Sequence, residues 1–114
     1  MRIEVRGRNT PVTDQLRRHV EERFRARIGR QVSDLARLDV ELTVEKNPSI
    51  PAAKIAEATL HLKGVTLRAR ESSGDLEHSV DLVADKLARQ VKRHRDKRRG
   101  RRESAQMRPA DAAS

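Results

Sequence analysis

The chain has no cysteine, no tryptophan and no tyrosine, and Phe24 is its one phenylalanine. Without cysteine there are neither disulfides nor thiolate metal sites, which suits a reducing compartment. A single aromatic ring offers no platform for stacking splayed bases, so RRM-like or OB-like readout of single strands is not expected. Long apolar runs are missing as well. Residues 1–10, MRIEVRGRNT, contain no apolar h-region, and no stretch approaches the roughly 20 residues of a membrane span. The expectation is a cytoplasmic protein, neither exported nor embedded. There is no Walker or G-x-G-x-x-G loop, and His19, His61, His78 and His94 show no H-x-H or H-E-x-x-H spacing. No metal, no other cofactor and no small-molecule substrate are expected.

What the chain does have is positive charge. Its 114 residues, enough for one domain and one core, carry 26 Lys and Arg against 17 Asp and Glu, for a net charge of +9. Residues 86–102 hold ten basic residues and one acid, Asp96, so this segment alone accounts for the whole excess. The remainder is balanced, sixteen against sixteen. A field concentrated in this way attracts polyanions. A membrane surface is disfavoured as the partner, because the segment lacks Trp, Phe and an extended apolar face. Nucleic acid remains.

Hydrophobic periodicity gives the order β-α-β-β-β-α. Ile3 and Val5 alternate with Arg2, Glu4 and Arg6 in a short strand over Arg2–Gly7. Gly7–Pro11 supplies turn chemistry, and Thr13 is a good N-cap. Leu16, Val20, Phe24 and Ile28 then form one apolar stripe of a helix over 14–28, which Gly29 can end. Leu38, Val40, Leu42 and Val44 alternate with polar residues as a second strand. Asn47–Ala53, with two prolines, reads as a loop. Lys54–Lys63 and Val65–Glu71 read as two strands joined by a tight Lys63–Gly64 turn. Ser72 or Ser73 caps a last helix whose stripe is Leu76, Val80, Val83, Ala84, Leu87 and Val91. Residues 1–97 form the domain, and 98–114, where the pattern dissolves, read as a disordered basic linker or tail. Alternating strands bury one sheet face only, so both striped helices pack on that face in a two-layer α/β sandwich, with a right-handed first crossover.

On this reading the wet sheet face carries Asp39, Glu41, Glu45 and Glu57, and the helix layer carries the arginines. Lys86, Arg89 and Arg93 fall at helical spacing in one stripe, and Arg17, Arg18, Arg23, Arg25, Arg27 and Arg30 belong to the first helix region. Arginine-rich helices suit structured RNA, read by shape and phosphate charge. DNA is not excluded by charge, but neither helix pair resembles a short-turn helix-turn-helix. The nearest approach to a catalytic set is Ser72, Ser73, His78 and Asp81, without a nucleophile elbow. The serines read better as caps, and the chain is not expected to be an enzyme.

Several stretches taken in order carry a resemblance: V-x-G-R-N before the first helix, L-x-V-E-K-N in the second strand, A-T-L-H-L-K-G-V-T-L-R-A-R-E-S-S-G-D across the third and fourth strands, and D-K-L-A-R-Q-V-K-R-H-R-D-K in the last helix. Over residues 1 to about 97 the chain closely resembles the ribosome hibernation promoting factor family, which includes the ribosome-associated inhibitor, also labelled a sigma-54 modulation protein. The resemblance implies a β-α-β-β-β-α fold of double-stranded-RNA-binding-domain-like character. It also implies binding to the small ribosomal subunit and its rRNA, in the mRNA and tRNA channel near the decoding centre. Occupancy there competes with mRNA and tRNA, blocks translation and protects idle ribosomes of stressed bacteria.

Carried over by motif, the rRNA-binding residues are Lys86, Arg89, Lys92 and Arg93, together with Arg8 of G-R-N. Helix register adds Arg17, Arg18, Arg23 and Arg25, and Arg68 and Arg70 lie near the sheet edge. Long members of the family carry a second domain that pairs two factors. This chain is read as a short-type factor or the N-terminal part of a long one, monomeric by itself. The competing reading of the same residues is a generic double-stranded RNA-binding module.

Overall fold

The computed structural model describes residues 1–47 and 53–113, with side chains described through Arg98. Residues 48–52 of the loop expected at 47–53, and the side chains of the expected tail beyond Arg98, lie outside the described residues. The elements run β1 (Arg2–Arg8), α1 (Asp14–Ile28), β2 (Arg37–Val44), β3 (Lys54–Leu62), β4 (Val65–Ser73) and α2 (Leu76–Ala113). One four-stranded sheet has the order β1-β2-β3-β4. The first pair is parallel, with α1 as the connection, and the other two are antiparallel. This is the expected α+β sandwich of one sheet and two helices.

Local chemistry sets the boundaries. Gly7, the penultimate residue of β1, leaves room for the β1–α1 turn to fold back over it: a Cβ there would lie 2.2 Å from the Thr10 carbonyl oxygen. Asn9 adopts left-handed φ of 59°, which its short polar side chain tolerates. The Thr13 hydroxyl then accepts from the Leu16 N–H at 3.1 Å, an N-cap in the expected place. Gly29 ends α1 without the left-handed turn its identity invites: its φ is −57° and its N–H still bonds the Arg25 carbonyl. At the Lys63–Gly64 turn, Gly64 supplies a φ of 79°.

The start of α2 differs from the sequence reading. Ser72 and Ser73 continue β4, paired opposite Ile55 and Lys54. Asp75 is the cap instead, its Oδ2 accepting from the His78 N–H at 3.2 Å. Two more residues of sheet pairing outweigh an early cap, and an aspartate is as good a cap as a serine. Ser73 is used one step further in: its hydroxyl lies 2.6 Å from that of Ser79, a fully buried residue that donates to the Lys54 carbonyl at 2.7 Å. The α2 helix is thereby tied to the end of β3.

Both apolar helix stripes and the inward strand residues meet in one core. Phe24, Ile28, Leu38, Leu42, Leu60 and Leu87 are its largest fully buried side chains. Among the described residues, its last buried contribution from α2 is Val91. The helix nevertheless continues to Ala113, and the backbone draws no boundary at Lys97.

Candidate nucleic-acid interface

Along α1, positions 15, 19, 23 and 27 share one side at about 3.6 residues per turn, and along α2 so do 77, 81 and 85. These two sides face each other. The Gln15 amide donates to Glu77 at 3.5 Å, His19 and Arg23 both reach Asp81 Oδ1, at 2.8 and 2.9 Å, and Arg27 reaches Asp85 at 2.9 Å. Partners ascend together, so the helices run parallel. Partial exposure limits each ion pair to about 0–1 kcal/mol, but the ladder fixes the register of one helix on the other. It also neutralises the middle of the helix layer.

The cations left over lie elsewhere. On the β4 side of α2, Lys86, Arg89, Arg93 and Lys97 line a groove of about 690 Å³ whose floor includes Val65 and Leu67. Lys86 lies 3.4 Å from Glu71 of β4, and the Gln90 amide donates to the Arg68 carbonyl at 2.9 Å, so the helix is pinned along this edge strand. Arg89 and Arg93 are exposed, and among the described residues neither makes an ion pair. Lys92 falls at the spacing of Asp81 and Asp85, on the α1 side and beyond the ladder.

At the opposite edge, Arg8 is exposed at the end of β1, next to Gly7 and just before the turn that folds back over that glycine. Arg17 and Arg25 occupy the flank of α1 turned away from α2, where Arg25 donates to the Met1 carbonyl at 3.2 Å. Arg18 bends back to the Asp14 carbonyl at 3.4 Å. The nine residues singled out in the sequence therefore form no single patch. Lys86, Arg89 and Arg93 come together, Arg8 and Arg17 lie across the molecule from them, and Arg23 is engaged with Asp81. Gln90 and Lys97 also belong to the groove; spacing of 86, 90, 93 and 97 along one helix face was the signal for them.

The sheet face departs from a uniformly acidic surface too. Asp39, Glu41 and Glu57 occupy the middle strands, but Arg2, Arg6 and Arg8 on β1 and Arg68 and Arg70 on β4 share that same outer face. Asp39 accepts from His61 at 3.1 Å and Arg37 at 3.4 Å, and Glu41 lies 3.8 Å from Arg6. On this face arginines thus stand on both edge strands, with Glu4 among them, and the acids stand on the middle strands, with Arg37 among them, where the sequence reading divides the two signs between layers. Strand order and helix pairing produce that difference.

The serine–histidine–aspartate neighbourhood across the end of β4 and the start of α2 does not converge. Asp81 faces α1, His78 is exposed, and Ser73 bonds Ser79 and Asp75. Among the described residues no cluster of three or more His, Asp or Glu is placed to hold a metal ion, and no helix is long and apolar enough to cross a membrane.

Comparison with known proteins agrees with the fold and extends it. Residues 3–99 match the family model of the sigma 54 modulation protein / S30EA ribosomal protein. A ribosome hibernation promoting factor of Azotobacter vinelandii is 36% identical over 112 residues, covering 98% of this chain and 97% of the relative. A ribosome hibernation promotion factor of a Picosynechococcus species is 32% identical, covering 93% of this chain; the chain spans only 55% of that relative's length. Among solved structures, the N-terminal domain of Protein Y from Thermus thermophilus superposes with a TM-score of 0.70 at 32% identity, over 82% of this chain and 99% of that one. The chain belongs to the sigma 54 modulation protein / S30EA ribosomal protein family, that of the ribosome hibernation promoting factors.

Proposed function

We propose that this chain is a ribosome hibernation factor, which binds the small ribosomal subunit in its mRNA and tRNA channel and silences translation by occupancy. The observation that carries this reading is the row of cations along α2, pinned over β4 in a chain whose relatives are named for ribosome hibernation. Lys86, Arg89 and Arg93, with Lys92 beyond the ladder, contact rRNA phosphates. Arg8, Arg17 and Arg18 add contacts from the other side. Arg23 and Arg25 serve the protein first, through Asp81 and Met1, and contribute less. No bond is made or broken, and the place of action is the cytoplasm, where ribosomes are. The tail over 98–114 adds non-specific attraction through its arginines.

Phosphate contact with few base contacts suits an rRNA surface recognised by shape, and binding weakens steeply with salt. Co-sedimentation of the purified chain with small subunits at physiological salt, beside plain RNA duplexes of equal mass concentration, tests the proposal. Marked preference for the subunit supports it. Equal affinity for arbitrary duplexes identifies the generic double-stranded RNA-binding module instead.

A further inference from the structure

Strand β4 is an edge of the sheet: it pairs with β3 on one side, and among the described residues no strand lies on the other. One hydrogen bond identifies the backbone groups on that free side. The Arg68 carbonyl accepts from the Gln90 amide of α2 at 2.9 Å, so Arg68 turns its main chain away from β3. Residues of an antiparallel pair alternate between hydrogen-bonded and non-hydrogen-bonded positions, so Thr66 and Arg70 turn theirs the same way. Among the described residues nothing caps the outward N–H and C=O of Thr66 or Arg70, and the Arg68 carbonyl keeps a second lone pair. A row of this kind is a template for one more strand.

A strand laid there meets more than main chain, because its side chains alternate between two faces. Those turned toward the helix layer enter the groove of about 690 Å³ between β4 and α2, over Val65 and Leu67. Those turned outward lie beside Arg68 and Arg70, and Lys86, Arg89, Arg93 and Lys97 rim the groove. Of these cations only Lys86 has an acid beside it, Glu71, among the described residues. Two copies of this chain joined along β4 would bring Arg68 and Arg70 of each together, so like charge opposes that occupant. RNA phosphate would use the cations, but neither the apolar floor nor the main-chain row. We propose that the β4 edge is a docking site for an extended acidic segment of a partner protein, in which Asp or Glu alternates with aliphatic residues, added to the sheet as a fifth strand. Arg89 and Arg93 are shared with the RNA contacts proposed above, so strand and RNA exclude each other at this edge. That consequence rests on the RNA-binding reading; the docking itself does not.

The probe is a short peptide of alternating Glu and Val, titrated against the full chain. Two controls carry the same charge: the same peptide with its backbone N-methylated throughout, and one with Ser in place of every Val. The proposal expects the Glu–Val peptide to bind, with the amide protons of Thr66, Arg68 and Arg70 gaining protection from exchange. Both controls should bind at least about tenfold more weakly, the share of two net hydrogen bonds or of one buried aliphatic side chain. Thr66→Pro removes one outward N–H and leaves the pairing with β3, so it should weaken peptide binding and leave RNA affinity unchanged. Circular dichroism checks its fold; if the variant unfolds, the N-methylated peptide asks the same question of the unsubstituted chain. An RNA duplex bound to the chain should be displaced by the peptide but stay on Thr66→Pro. Equal binding by the Ser-containing control, or displacement from Thr66→Pro as ready as from the unsubstituted chain, identifies a surface that reads charge alone, as RNA would, and overturns strand docking. Unchanged exchange of the three amides does the same. No arm uses ribosomes, so loss of the docking site leaves the ribosome-binding reading standing, and failure to pellet with ribosomes leaves the docking site.

Discussion

The guanidinium of Arg23 donates from Nε to Oδ1 of Asp81 at 2.9 Å, so an arginine that the sequence offers to RNA is already engaged inside the protein. The same carboxylate oxygen meets His19 at 2.8 Å. Asp81 thus joins two turns of α1 to α2, and the basic residues of the helix layer divide into those that hold the helices and those that face outward.

That division predicts opposite phenotypes for residues of one type. Arg23→Ala should lower stability by about 0–1 kcal/mol, as expected for a partly exposed pair, and should change RNA affinity less than twofold. The triple variant Lys86→Ala, Arg89→Ala, Arg93→Ala should keep the unfolding midpoint but reduce the salt slope by about 2.1–2.7, three phosphates' worth. Urea denaturation and RNA titration across salt concentrations measure both quantities.

The core can be tested at its one aromatic ring. Phe24 is fully buried in the core cluster that the sheet and both helices share, with no second ring to take up the space. Phe24→Ala should cost about 3–5 kcal/mol, because the cavity adds to the lost transfer energy. For a small domain stable by roughly 5–15 kcal/mol that is a large share, visible as a lowered denaturation midpoint.

Much of this architecture is legible in the residues themselves. Alternation in β2 and the four-residue recurrence of Leu16, Val20, Phe24 and Ile28 fix element type and inward face, because burial demands those periods. Thr13 and Lys63–Gly64 mark boundaries through local chemistry. The end of β4 was not legible, since a serine serves as well in a strand as at a cap and only pairing with β3 decides. Nor was the edge-wise distribution of charge. Arg23 and Asp81 are remote in sequence, and what joins them is parallel packing of two helices. The matched four-residue spacings of 15–27 and 77–85 were the trace it left.

Gly7 links turn geometry to the β1 edge. Gly7→Ala would place a methyl 2.2 Å from the Thr10 carbonyl oxygen, backbone that cannot simply rotate away. A destabilisation of about 1–3 kcal/mol is expected, the usual scale of overpacking. Arg8 would be displaced with the turn, so RNA affinity should fall as well. Thermal unfolding and RNA titration of this variant are the checks.

The tail gives a prediction of its own. Among the described residues the core takes its last buried α2 side chain at Val91. Removing residues 98–114 should leave the unfolding midpoint unchanged while lowering RNA affinity and its salt slope, because Arg98, Arg99, Arg101 and Arg102 go with them. A fall in the midpoint on truncation would show that the segment belongs to the fold.

Channel occupancy is the central claim, and displacement from ribosomes tests it most directly. The purified chain is pelleted with ribosomes at physiological salt, with and without added mRNA and tRNA, beside the Lys86, Arg89, Arg93 triple variant. The account predicts that the chain co-pellets alone, is released when mRNA and tRNA fill the channel, and pellets poorly as the triple variant. Pelleting that persists undiminished in the presence of both ligands would contradict it.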